Sequence, residues 1–103
     1  MNFNITTVDE ILRQFAHRLR AQRLAQAIAQ HDLARMAGLS LGAVRKLETD
    51  GQCSLETLIR VAQALGLVGE LEPLFVQKPE SIAAMQRAAK LQLRQRAPRR
   101  LRL

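Results

Sequence analysis

Tryptophan and tyrosine are absent from this 103-residue chain, and its aromatic residues are three phenylalanines, Phe3, Phe15 and Phe75. That poverty excludes an aromatic platform on which single-stranded bases would stack. A lone cysteine, Cys53, excludes an internal disulfide, and beside two scattered histidines, His17 and His31, it falls short of a zinc set. No metal and no other cofactor is therefore expected. No run approaches about 18 consecutive apolar residues and no signal-peptide pattern opens the chain, so the expectation is a soluble, cytoplasmic protein with no membrane partner. Nor does the sequence offer a nucleophile paired with a base or a phosphate-cradling loop, so no catalytic residue is assigned and an enzyme is not expected.

What the chain does have is apolar mass and unevenly placed charge. Apolar residues make up 48% of it, enough to build a core and to argue against disorder throughout. The formal net charge is +7. Residues 1–77 carry eight basic and eight acidic side chains, whereas residues 78–103 carry eight basic ones against Glu80 alone. A neutral body thus wears a basic tail, whose partner is either a polyanion or an acidic protein surface.

Periodicity reads as all-α. Thr7 and Glu10 have capping-box spacing and open a long helix to about Ala27, with Val8, Ile11, Leu12, Phe15 and Leu19 on one face. The alternating Asn2 to Thr6 reads either as a short strand or as a disordered end. Gln30 to Ala37 forms a short helix burying Leu33, Ala34 and Ala37, with Gly38 where a left-handed cap belongs. Ser40 caps another short helix to about Thr49, with Val44 and Leu47 inward, closed by Asp50-Gly51. Ser54 caps a fourth, whose apolar face is Leu55, Leu58, Ile59, Ala62 and Leu65, stopped by Gly66. Val68, Leu71 and Phe75 suggest a fifth, ending near Gln77. After a break at Lys78-Pro79, Ile82, Met85, Ala89 and Leu93 line a narrow face flanked by Arg87, Lys90 and Arg94, until Pro98 and the tail 99–103. The expected organisation is an N-terminal extension over 1–7, a five-helix bundle over 8–77, and a basic helix and tail over 78–103.

Two short helices joined by a glycine-containing turn and braced by their neighbours are the mechanical parts of a DNA reader. Ala34 must be small where the two helices cross, while Leu39, Val44 and Leu47 pin the second helix and leave Leu41, Gly42, Ala43, Arg45 and Lys46 on its free side. Arg23, Gln30, Leu33-Ala34, Gly38, Ser40, Leu47-Glu48, Gly51, Ser54-Leu55-Glu56-Thr57-Leu58 and Ala62-Gln63-Ala64-Leu65-Gly66 together resemble the lambda-repressor-like, or Xre-type, helix-turn-helix family over about residues 19–75. The resemblance implies a five-helix bundle that binds palindromic operators as a homodimer. It implies that Gln30 contacts DNA, that Leu41, Gly42, Ala43 and Lys46 face the major groove, and that Arg23 and Glu48 form a structural ion pair. Carried further, Lys46 meets guanine O6 or N7, while Arg45 and the amides near Gln30 and Ser40 hold phosphates.

Two departures stand out. Ala29 occupies the usual hydroxyl cap position before Gln30, and Leu41-Gly42-Ala43 is poor in hydrogen-bonding groups, which shifts specificity toward Lys46, thymine methyls and DNA shape. Leu74-Phe75, Pro79-Glu80-Ser81 and the Gln-, Arg- and Lys-rich segment after them are similar to the end of HipB-type antitoxins. This implies an autorepressing antitoxin that binds a HipA-like kinase toxin, with Ile82, Met85, Arg87, Lys90, Leu93 and Arg94 as the partner-binding set. A stand-alone phage or metabolic repressor with a basic arm, and an interaction module without operator reading, are the alternatives.

Overall fold

The structure is a computed structural model that describes residues 2–77 and 82–101, the last seven of them as backbone only. Every regular element among the described residues is helical: α1 (Val8–Ala25), α2 (Gln30–Ala37), α3 (Leu41–Asp50), α4 (Leu55–Ala64) and α5 (Ile82–Leu101), with 3-10 turns at Phe3–Ile5 and Val68–Glu70. The chain divides into two compact units, Met1–Pro73 and Leu74–Leu103.

In the first unit α1, α3 and α4 each begin where a hydroxyl side chain offers a cap. Thr7, Ser40 and Ser54 accept hydrogen bonds from the amides of Glu10, Ala43 and Thr57, satisfying donors that a helix leaves unpaired in its first turn. Ala29, before α2, offers no such bond. The interior is built from Leu33, Ala34, Val44, Leu47, Val61 and Leu65, flanked by Leu19, Ile28, Leu39, Ala64 and Leu67. Val44 is fully enclosed and Leu47 is 2% exposed, so α3 is fastened along one side by aliphatic packing. Ala16 and Arg23 are the buried positions of α1.

The apolar faces expected on α1 and α4 are rotated slightly from their interior ones. On α4 the inward set includes Val61 and Ala62, while Leu55 (72% exposed) and Ile59 lie outside it. Val8 and Phe15 of α1 are likewise exposed. Phe15 instead meets Phe3 edge-to-face with ring centroids 5.6 Å apart, and the Arg18 guanidinium sits over both rings. That clip holds residues 3–5 as a 3-10 turn, neither the strand nor the disordered end expected for Asn2 to Thr6.

The fifth element also differs from expectation. In place of a helix to Gln77, the chain makes one 3-10 turn at Val68–Glu70 and a run of turns to Phe75. Gly66, Gly69 and Pro73 fall within eight residues, and proline both lacks an amide donor and disfavours helical geometry in the residue before it. Phe75, one of the residues that suggested a fifth helix, is 98% exposed with a positive φ of 60°.

In the second unit, α5 passes Pro98, where sequence placed its end, and continues to Leu101. Proline's fixed φ fits a helix, at the loss of one backbone hydrogen bond. Ile82, Met85, Ala89 and Leu93 share a face, but Leu91 lies opposite, and all five are exposed. The expected break at Lys78-Pro79 and the Pro79-Glu80-Ser81 stretch lie outside the described residues, as do Arg102 and Leu103.

Helix α1 ends in a loop that the sequence does not announce. The Ala27 amide donates to the Leu24 carbonyl at 3.0 Å and the Ile28 amide to that of Arg23 at 3.2 Å, the pairing of a Schellman motif. The residue this places in the left-handed region is Ala27, at φ 56°. The same motif ends α2 and α4 on Gly38 and Gly66. Alanine there costs about 1–2 kcal/mol, partly offset by glycine's greater freedom in the unfolded chain. Ala27→Gly is therefore expected to stabilise the first unit by about 0.5–1 kcal/mol, read as a higher urea midpoint. An unchanged or lower midpoint would show Ala27 to be unstrained.

Candidate nucleic-acid interface

Helix α2, the turn Gly38-Leu39-Ser40 and helix α3 form a helix-turn-helix. Because Val44, Leu47 and Glu48 face inward, the opposite side of α3 is open, and Gly42, Arg45, Lys46 and Thr49 lie on it as an exposed stripe at helical spacing. Leu41 and Ala43, grouped with these residues by sequence, are half-buried. Ser40 spends its hydroxyl oxygen on the Ala43 amide, at 3.1 Å. Thr49, which sequence reasoning passed over, donates its hydroxyl back to the Arg45 carbonyl at 2.7 Å. Among the described residues, Arg20, Arg45 and Lys46 take part in no ion pair.

Beside this stripe lies an open depression lined by Arg20, Arg23, Ala29, Gln30, His31, Leu41 and Arg45. It contains the start of α2, whose first amides have no side-chain cap and sit at the positive end of the helix dipole. With Arg20 and Arg45 unpaired at its rim, the depression suits a phosphate group. Sequence placed Gln30 and Arg45 in this role but gave none on DNA to Arg20 or His31. The available signal was spacing, since Arg20 precedes Arg23 by one turn of α1.

Arg23, one of the residues lining the depression, is paired with Glu48 of α3. The guanidinium Nε donates to Oε2 of Glu48 at 2.7 Å and Nη2 to Oε1 at 2.9 Å, a two-pronged pair with both side chains buried. Nη1 donates to the Ile28 carbonyl at 2.7 Å, and the Gln30 amide nitrogen donates to Glu48 Oε1 at 3.1 Å. One buried knot thus joins the end of α1, the loop after it, the start of α2 and the inner side of α3. The hydrogen bonding that Arg23 donates to Glu48 raises the Arg23 pKa above its ordinary value, outweighing the opposing effect of burial. Gln30, expected to contact DNA, has one amide proton engaged in this knot and a second left for an outside acceptor.

Desolvation pushes the thiol of the free, exposed Cys53 up, opposed by a smaller effect of a hydrogen bond with the Leu58 backbone. His31 lies 3.5 Å from Asp32, which also pairs with Arg35. Among the described residues no three His, Cys, Asp or Glu side chains gather where a metal ion would bind, and no helix is long and apolar enough to cross a membrane.

A helix-turn-helix family model matches residues 19–72, more than half of the chain and the span that contains this interface. The chain belongs to the helix-turn-helix family of Xre, or lambda-repressor-like, type. It is, on that membership, a DNA-binding transcription regulator. Comparison with curated proteins gave no match.

Proposed function

We propose that this regulator is a sequence-specific repressor that binds a palindromic operator as a homodimer, with α3 in the major groove. The observation that supports this most directly is the two-sidedness of α3. Its inner side is locked by Val44, Leu47 and the Arg23–Glu48 pair, and its outer side offers Gly42, Arg45, Lys46 and Thr49 beside a basic depression. Lys46, exposed and without an ion pair, is the base-reading residue, and Arg20, Arg45 and the α2 amides hold phosphates. Exposed Leu55 and Ile59, one turn apart on α4, join residues 2–5 and the α5 stripe as surfaces for pairing with a second copy. Paired recognition helices would read half-sites about 34 Å apart.

The experiment is selection of duplexes from a randomised library, followed by titration of single base-pair changes. Lys46→Ala is expected to lose about 1–3 kcal/mol of discrimination at one base pair per half-site. Equal weakening on every duplex would make Lys46 a phosphate contact, and a wild-type chain that holds all sequences equally weakly would overturn operator reading.

For the second unit we infer a partner-binding helix. Ile82, Met85 and Leu93 are exposed beside Arg87, Lys90 and Arg94, and residues 82–101 contain no acid. Such a helix suits an acidic protein surface, and similarity to HipB-type antitoxins makes a HipA-like kinase toxin the candidate, with autoregulation of a shared operon. Affinity capture from the native host tests this, since the reading requires that a kinase-like protein is retained and is lost when Arg87, Lys90 and Arg94 become glutamate. Loss of DNA affinity instead, with a flatter salt dependence, would make α5 an arm along the phosphates.

A further inference from the structure

Gly42 is a glycine that the fold itself does not require. Gly38, Gly51 and Gly66 occupy left-handed backbone, which explains them. Gly42 lies in the first turn of α3 without a positive φ, and a Cβ built on it would meet nothing nearer than the Ser40 hydroxyl oxygen, at 4.0 Å. Alanine would fit there and would favour the helix, because glycine loses more backbone freedom on folding. Close approach of something outside the chain to the backbone is a use that glycine serves and that would explain a helix-weakening residue in open space. Gly42 lies one turn before Arg45 and Lys46 and two before Thr49, at the N-terminal end of the exposed stripe.

We propose that Gly42 sets how closely α3 seats against base-pair edges, its missing side chain allowing the Cα to touch the groove floor so that Lys46 reaches its base. This deepens the operator-reading proposal and rests on it. Stability and affinity then oppose each other at this position: a side chain that strengthens the free protein lifts the helix off the duplex. Specificity follows as well, because a helix held further out loses the directed contacts while keeping the longer-range attraction to phosphates.

The probe is the highest-affinity duplex recovered from a randomised library on the wild-type chain, compared with a scrambled duplex of the same composition. Gly42→Ala is expected to raise the melting temperature by about 2–6 °C while weakening binding to the selected duplex by about tenfold. Gly42→Leu is expected to weaken it by about 100-fold or more, with binding to the scrambled duplex changed less than about threefold in both. Gly69→Ala is the control, since a Cβ there also meets nothing within 4 Å, and its affinity should match wild type. Wild-type discrimination together with unchanged affinity in Gly42→Ala and Gly42→Leu would overturn this proposal alone. A wild-type chain that fails to prefer the selected duplex would overturn operator reading, and this inference with it.

Discussion

Glu48→Ala is expected to remove about 3–5 kcal/mol of stability, because it strands the Arg23 guanidinium in the interior with the Ile28 carbonyl as its remaining partner. A unit of this size holds roughly 4–11 kcal/mol in all, so the loss is a large share of its stability and should appear as a much lower urea midpoint. The contrast that identifies the cause is the double replacement Arg23→Met with Glu48→Leu. An aliphatic pair of similar volume has no charge to desolvate, and it should recover most of the loss. Urea denaturation of the wild type, both single variants and the double variant closes the cycle. Additive losses would show that the two side chains do not act as a pair. The recovered double variant should nevertheless bind DNA less well, because Gln30 has lost the acceptor that orients its amide at the edge of the depression.

Gly51→Ala should be comparably damaging for a different reason. Gly51 ends α3 at φ 77°, and a Cβ there would collide with the Leu12 carbonyl oxygen and lie 2.6 Å from its carbon. The added carbon meets main-chain atoms and the Cβ of Leu12, none of which can swing aside, so α1 must move from the end of α3. The left-handed conformation costs about 1–2 kcal/mol and the forced displacement about 1–3 more. Gly66→Ala separates the two contributions, since Gly66 has a φ of 74° with nothing within 4 Å of the added carbon. Thermal melts should show a shift for Gly51→Ala at least twice that of Gly66→Ala. Equal shifts would mean that backbone conformation alone accounts for the glycine.

How legible the fold was depended on how local the determining interaction is. Helices α2, α3 and α4 were readable because Ser40 and Ser54 cap with their own hydroxyls and Gly38 and Gly51 stop with their own backbone. The end of α1 was not, because Leu24-Ala25-Gln26-Ala27 favours continued helix. The turn comes from Ile28 packing on the core and from the Arg23 side chain binding its carbonyl. After Gly66 the apolar spacing of Val68, Leu71 and Phe75 looked helical, yet two glycines and a proline prevailed over it. At the interface, the Arg23–Glu48 partnership spans 25 residues and came only from family resemblance, since no periodicity links them. Arg20 went unnoticed because an exposed arginine on a helix looks the same in sequence whether or not a depression opens beside it.

Mobile ions reach the exposed cations of this protein but not its interior knot, where Arg23 and Glu48 are shielded from solvent. Concentrated salt should therefore strip the chain from DNA by competing at the phosphates while leaving the mutual setting of α1, α2 and α3 undisturbed. Release by brine and loss of shape are thus separate events, and a molecule washed off the duplex remains poised to read it again once the solution is diluted.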